Sequence, residues 1–242
     1  MVNGWEQFSI YHSRFTIHRM SLPSLKRFTM DYLRCAGEAA LMLLAWGDVR
    51  GFLSSGARAG MLIVLFVMPV ITAWSRSERL NRGQRPVTGQ ERTLILLELG
   101  FFICYWVVPY CDRRGLLVLP ESDALRYAGL ALYIMGAALR AWAFIHLGRF
   151  FSIFLTIQEG HRLVTDNIYS RVRHPSYTGL LLRSLGGALV FRSLFGLVAW
   201  LVLVVFIIKR IRHEERVLES EFTSAWADYG RRTRWRLVPG IY

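Results

Sequence analysis

Apolar residues in this chain fall in long blocks separated by short polar links rich in arginine. Residues 59–75 carry no charge between Arg58 and Arg76, and residues 193–208 carry none between Arg192 and Lys209. Residues 93–111 hold only Glu98, and residues 127–147 only Arg140. Blocks of this length are close to the roughly 17–25 residues an α-helix needs to cross a bilayer, and too long for strands. The pattern predicts helices at about 35–53, 57–75, 93–111, 124–147, 177–191 and 195–209. Glu38 and Asp48 interrupt the first, which is expected to lie partly in the interface. The last two are short and joined tightly by Phe191-Arg192-Ser193, so they read as a hairpin that leaves and re-enters the same side. The final helix is expected to run on past the membrane to about Tyr229. The fold class that results is all-α: a polytopic membrane helical bundle of five to six spanning helices with a C-terminal helical hairpin.

Composition agrees with that class, since 53% of the residues are hydrophobic and only 19% are charged. The formal net charge of +13 would suggest nucleic acid as a partner in a soluble protein. Its distribution points elsewhere. With the helices placed as above, 22 of the 30 Lys and Arg residues fall on one side and 6 on the other, while Arg140 and Arg183 lie inside helices. Lys and Arg favour the cytoplasmic side of membrane proteins. Both termini, and the polar stretch HRLVTDNIYSRVRHPSYTG at residues 161–179, are therefore expected there. No nucleic acid is implied; membrane lipids, anionic headgroups in particular, are the natural partner of such charge. The first 34 residues are polar and basic without the apolar core of an export signal. Cys35, Cys104 and Cys111 form no CxxC or Cys/His pattern, so neither a metal site nor a disulfide framework is expected.

The hairpin supplies the candidate chemistry. Folding it forces Arg173-His174-Pro175-Ser176-Tyr177 against Lys209–Glu215. Pro175 suits the first turn of a helix, whose free N–H groups and positive dipole end favour carboxylates and phosphates. Tyr169 and Tyr177 offer ring faces that attract cations. Arg210 and Glu214 are i,i+4 neighbours on one helix face, and the Glu214-Glu215 pair beside lipid is costly unless something uses it. Each residue also has a plainer reading. Arg171 and Arg173 suit interfacial anchoring, His174 a helix cap, and Arg210 with Glu214 a surface ion pair. Glu98, Arg140 and Arg183 suit pairing across helices or, for the arginines, snorkelling. Taken singly these readings suffice, but they leave His, Tyr, Arg and Glu meeting at one end of one hairpin unexplained.

The order His161-Arg162-Leu163-Val164-Thr165, Tyr169, Arg173-His174-Pro175-Ser176-Tyr177-Thr178-Gly179, an apolar hairpin, then Arg210…Glu214-Glu215 resembles the isoprenylcysteine carboxyl methyltransferase family. The terminal Arg-Arg-Thr…Leu-Val-Pro-Gly also fits, and the likeness covers roughly residues 146–242. The resemblance implies a membrane methyltransferase with S-adenosyl-L-methionine as cofactor, bound at the cytoplasmic face. It divides the chain into a basic segment at 1–34, transmembrane helices over 35–147 and a catalytic region at 148–242. By matched position the cofactor would be held by Gln158, His161, Arg162, Leu163, Val164, Tyr169, His174, Pro175, Ser176, Tyr177 and Glu214. Gln158 stands at a different spacing from its family counterpart. Arg210 would face the substrate, making Arg210 and Glu214 the catalytic pair. The family has Gly two residues before the Tyr, where this chain has Asn167. Asn tolerates a left-handed backbone, so the turn is expected to survive.

The activity implied is methyl transfer to a lipophilic acceptor, with carboxyl O-methylation leading. A phospholipid or amine N-methyltransferase would need a base such as Glu215 or His174 to deprotonate the amine. A membrane sterol- or enoyl-type reductase would use NADPH, and a non-catalytic scaffold would need neither. No G-x-G-x-x-G loop marks a soluble-type dinucleotide domain.

Overall fold

The computed structural model describes residues 25–73, 85–86, 91–147, 156–157 and 163–242. Seven helices form within them: α1 (Leu25–Trp46), α2 (Val49–Leu53), α3 (Gly56–Ala73), α4 (Glu91–Arg114), α5 (Asp123–Leu147), α6 (Pro175–Val190) and α7 (Leu194–Arg232). A 3₁₀ turn at Asn167–Ser170 precedes α6. Two two-residue strands, β1 (Arg85–Pro86) and β2 (Thr156–Ile157), pair antiparallel with Arg85 opposite Ile157. They tie the α3–α4 link to the approach to the 3₁₀ turn.

The block expected as one helix at 35–53 is two. Gly47 takes φ 75°, a left-handed conformation that ends α1, and a short α2 follows after Asp48. α7 does run on as expected, for 39 residues. At 1.5 Å per residue it is about 58 Å long, nearly twice the ~30 Å apolar core of a bilayer. Its outer part bends where Thr223 leaves helical geometry (φ 38°, ψ −105°). Among the described residues, α5 and α7 are long and apolar enough to cross a membrane, and α3 is apolar but shorter.

α5 and α6 lie in closest contact. Gly129 and Gly136 of α5 meet Gly179 and Gly186 of α6, backbone to backbone. A Cβ added at Gly136 would sit 2.3 Å from the Arg183 nitrogen, and one at Gly186 2.4 Å from the Tyr133 nitrogen. Only glycine permits such an approach. α6 and α7 then form the predicted hairpin. Arg192 at its turn has φ 50°, and buried Ser193 caps α7 by accepting a hydrogen bond from the Gly196 N–H at 3.0 Å.

That turn is seated on the α4–α5 loop. Leu119 N–H donates to Arg192 O at 2.8 Å, and Leu194 N–H to Leu117 O at 2.8 Å. Beneath it Asp112 is fully buried among three guanidinium groups. Arg126 and Arg192 reach it at 2.8 and 2.7 Å, and Arg58 lies 3.8 Å away. Glu121, more exposed, bonds Arg126 and Arg192 as well. Hydrogen bonds from Arg126 and the charges of Arg192 and Arg58 lower its carboxyl pKa, against a burial effect that acts the other way. The apolar core lies alongside, with Phe52, Phe191, Met42 and Val190 wholly enclosed.

Charges inside the predicted spans are paired across helices. Arg34 of α1 contacts Glu98 of α4 at 2.6 Å and Glu38 at 3.1 Å. Arg183 of α6 donates to the Tyr105 hydroxyl at 3.3 Å and lies 3.9 Å from Glu38.

Candidate functional site

Tyr177, in the first turn of α6, faces the part of α7 that follows its apolar run. Its hydroxyl accepts from Arg210 Nε at 2.7 Å and donates to Glu214 Oε2 at 2.8 Å. One phenol thus bridges the two helices through groups 33 and 37 residues away in sequence. The spacing explains the match: Arg210 and Glu214 stand one helical turn apart on α7, so both reach a single oxygen between them. All three side chains are half-buried.

α6 begins at Pro175, with His174 at the N-cap position. The His174 ring makes no cap hydrogen bond; its Nε2 lies 3.4 Å from Glu215 Oε1, and its ring stacks at 5.8 Å on Tyr177. Tyr177 and Thr178 N–H groups both donate to His174 O, at 3.1 and 3.3 Å. Arg140 of α5 adds a guanidinium here, donating from Nη1 to Ser176 O at 3.1 Å.

Tyr169 lies buried in the 3₁₀ turn, its hydroxyl 3.3 Å from Ala143 O on α5, and its carbonyl accepts the Tyr229 hydroxyl at 2.7 Å. Burial first, and the Glu214 charge second, push its phenol above the usual tyrosine range. Asn167 has φ 51°, the left-handed conformation expected where the family has Gly. Leu163 and Val164 are half-buried in the irregular stretch before that turn. Gln158, His161 and Arg162 lie outside the described residues.

Glu215 does different work from its neighbour. It accepts Arg173 Nη1 at 2.9 Å and Arg236 Nε at 2.8 Å, besides facing His174. Burial acts to raise its carboxyl pKa, but hydrogen bonds from His174 and Arg236 and the charges of His174 and Arg173 bring it down to about 2. Arg173 also donates to Thr233 O at 2.7 Å and to Gly230 and Arg234 carbonyls at 3.3 Å. Main-chain bonds run alongside: Arg173 N–H to Trp235 O and His174 N–H to Arg236 O, both at 2.9 Å. Thr178 Oγ1 donates to Leu237 O at 2.7 Å. The segment after α7 is thereby locked onto the start of α6. This lock escapes sequence reading, in which Arg173 is an anchor or a ligand contact. The signal available was the terminal Leu-Val-Pro-Gly run that contains its partners' neighbours.

Comparison with known proteins bears on this arrangement. The isoprenylcysteine carboxyl methyltransferase (ICMT) family model matches residues 129–220. "Probable protein-S-isoprenylcysteine O-methyltransferase" of Oryza sativa subsp. indica is 33% identical over 156 residues, covering 62% of this chain and 80% of that protein. The chain belongs to the isoprenylcysteine carboxyl methyltransferase family. "Protein-S-isoprenylcysteine O-methyltransferase B" of Arabidopsis thaliana is 36% identical over 107 residues, which is 43% of this chain and about half (54%) of that protein. A solved structure of a eukaryotic intramembrane Ras methyltransferase, ICMT, shares the fold with a TM-score of 0.54 at 20% identity, covering 88% of this chain and 76% of that one. The ICMT match takes in all of α6 and Arg210, Glu214 and Glu215, and begins within α5 rather than at residue 146. Arg236, which completes the Glu215 lock, lies beyond it.

Proposed function

We propose that this chain is an integral-membrane methyltransferase that uses S-adenosyl-L-methionine to esterify the carboxylate of a lipophilic acceptor of the isoprenylcysteine type. The observation that carries the reading is the Tyr177 hydroxyl held between Arg210 and Glu214. It puts a cationic and an anionic side chain, each fixed in orientation, at the mouth of an apolar hairpin.

The residues present fit such a cofactor. Among the described residues Glu214 uses one carboxylate oxygen on Tyr177, which leaves the other to accept from an ammonium or a ribose hydroxyl. The faces of Tyr169 and Tyr177 suit a sulfonium, and the Ser176 N–H, in the first turn of α6, suits a carboxylate. Leu163, Val164, His174 and Pro175 would enclose it, with Gln158, His161 and Arg162 completing the set by matched position. When bound, the group supplies an electrophilic methyl on a positively charged sulfur that leaves as a neutral thioether.

The chain's own part is alignment. A carboxylate is ionised at neutral pH, so no side chain has to remove a proton. Arg210, its Nε on Tyr177, would present its guanidinium charge to the acceptor carboxylate, a charge-assisted contact. The half-buried setting of Tyr177, Arg210 and Glu214 would thin the water around that carboxylate and help orient it toward the methyl group. Residues 35–147 and the apolar arms of the hairpin would place the acceptor's tail in lipid, with five to six spans, both termini cytoplasmic and the site at the cytoplasmic face. The 22-to-6 division of Lys and Arg supports that orientation.

The test is transfer of labelled methyl by the purified chain reconstituted in lipid, with a farnesylated cysteine and phosphatidylethanolamine offered as competing acceptors. Base-labile label on the isoprenylcysteine is expected. Base-stable label on the amine would replace this reading with the N-methyltransferase one.

A further inference from the structure

A concave feature lies where the locked tail meets the end of the 3₁₀ turn. Ser170, Arg171, Arg232, Thr233, Arg234 and Trp235 line a groove of about 330 Å³. Arg171, Arg232 and Arg234 are exposed. Other arginines at this end are committed: Arg173 and Arg236 to Glu215, and Arg231 to Asp228. Among the described residues no carboxylate pairs with Arg171, Arg232 or Arg234. Arg232 Nε reaches only the Asp228 carbonyl, at 3.4 Å. Three guanidinium groups around one groove repel one another until an anion enters.

The depth of the groove identifies the anion's source. The bonds from Arg173 and His174 N–H to Trp235 and Arg236 carbonyls set this segment beside Pro175, where the apolar hairpin begins. On the topology proposed above, in which the apolar hairpin enters the bilayer from Pro175, the groove lies level with the membrane interface on the basic side of the chain. Trp235, Val238 and Ile241 stay 39%, 40% and 80% exposed next to it. Trp is favoured at headgroup depth, and a branched apolar pair beside it suits acyl chains better than water. The walls are preformed, since Thr233 Oγ1 donates to Ser170 O at 3.1 Å and Tyr229 is fastened to Tyr169 O.

We propose that this groove binds the phosphate headgroup of an anionic phospholipid, with Trp235, Val238 and Ile241 set in the adjoining lipid. Arginine forks match phosphate geometry, and each basic residue near an anionic surface adds substantially to binding. An acidic peptide would meet the same charges but would leave the apolar trio facing water.

The full chain in phosphatidylcholine nanodiscs carrying increasing phosphatidylglycerol, followed by native mass spectrometry, counts the lipids retained. Wild type is expected to retain phosphatidylglycerol over phosphatidylcholine. The double variant Arg171→Gln/Arg234→Gln should weaken that preference at least about tenfold, while Arg216→Gln, exposed on α7 and not part of the groove's lining, should keep it. Equal retention of the two lipids by wild type would overturn the proposal, and so would a double variant with undiminished preference. It would also fall if an acidic peptide bound through these arginines and phosphatidylglycerol failed to displace it. Circular dichroism verifies that the variants are folded. The readout needs no methyl transfer, so it stands or falls apart from the proposed activity.

Discussion

Tyr177 illustrates what a single atom can contribute. Its hydroxyl organises Arg210 and Glu214 together, and without it each of those half-buried charges has one hydrogen bond fewer. Hydrogen bonds to charged groups contribute about 1.5–3 kcal/mol, so Tyr177→Phe is expected to lower kcat/KM about 10- to 100-fold. Its thermal unfolding midpoint should move little, because the ring stays in its apolar cluster with Leu180 and Ile207. An unchanged kcat/KM would show that the bridge has no part in turnover. The same scale separates arginines that look alike in sequence. Arg171 and Arg173 are two positions apart, yet one is exposed at a groove and the other holds four groups of α7 and the tail that follows it. Residue type says that both seek anions or carbonyls. Which ones they find depends on a segment some 60 residues later.

Among the elements, the hairpin was legible because its reasoning is local: two short apolar arms and a three-residue join bring their far ends together. The α5–α6 contact was not. Gly129, Gly136, Gly179 and Gly186 sit at intervals of seven on their own helices, but nothing in either helix says that the two stripes face each other. Gly136→Val would drive side-chain carbon into the α6 backbone. A loss of about 1–3 kcal/mol or more is expected from overpacking, seen as a lowered unfolding midpoint in detergent. Gly100→Ala, where an added Cβ meets nothing within 4 Å, should be neutral or slightly stabilising. A like effect at both positions would show that the close approach is unimportant. The break at Gly47 was missed for a related reason: glycine is common inside membrane helices, and only the observed φ of 75° marks this one as an end.

For the molecule as a whole, the two ends of the bundle are held by the same arrangement of charge, one carboxylate among several basic side chains. At one, Glu215 gathers Arg173, His174 and Arg236 and closes the tail over the candidate site. At the other, Asp112 gathers Arg58, Arg126 and Arg192 from three separate parts of the chain and seats the hairpin turn. Asp112→Asn would leave three guanidinium groups short of their buried anion, and removing one partner of a buried pair typically costs about 3–5 kcal/mol. Glu121→Gln, with a side chain 64% exposed, should cost less than about 1 kcal/mol. Thermal unfolding of the two variants distinguishes them, and equal shifts would refute the cluster's role. Run lengths, the tight join and the excess of Lys and Arg on one side are written along the chain, because each depends on neighbours in sequence. They determined the helical class, the hairpin and the meeting of Tyr177 with Arg210 and Glu214. The partners of Asp112, Glu215 and the glycine stripes were decided by the tertiary structure alone. A buried charge or a close backbone approach is satisfied by whatever packs across from it, and that group can lie anywhere in the sequence.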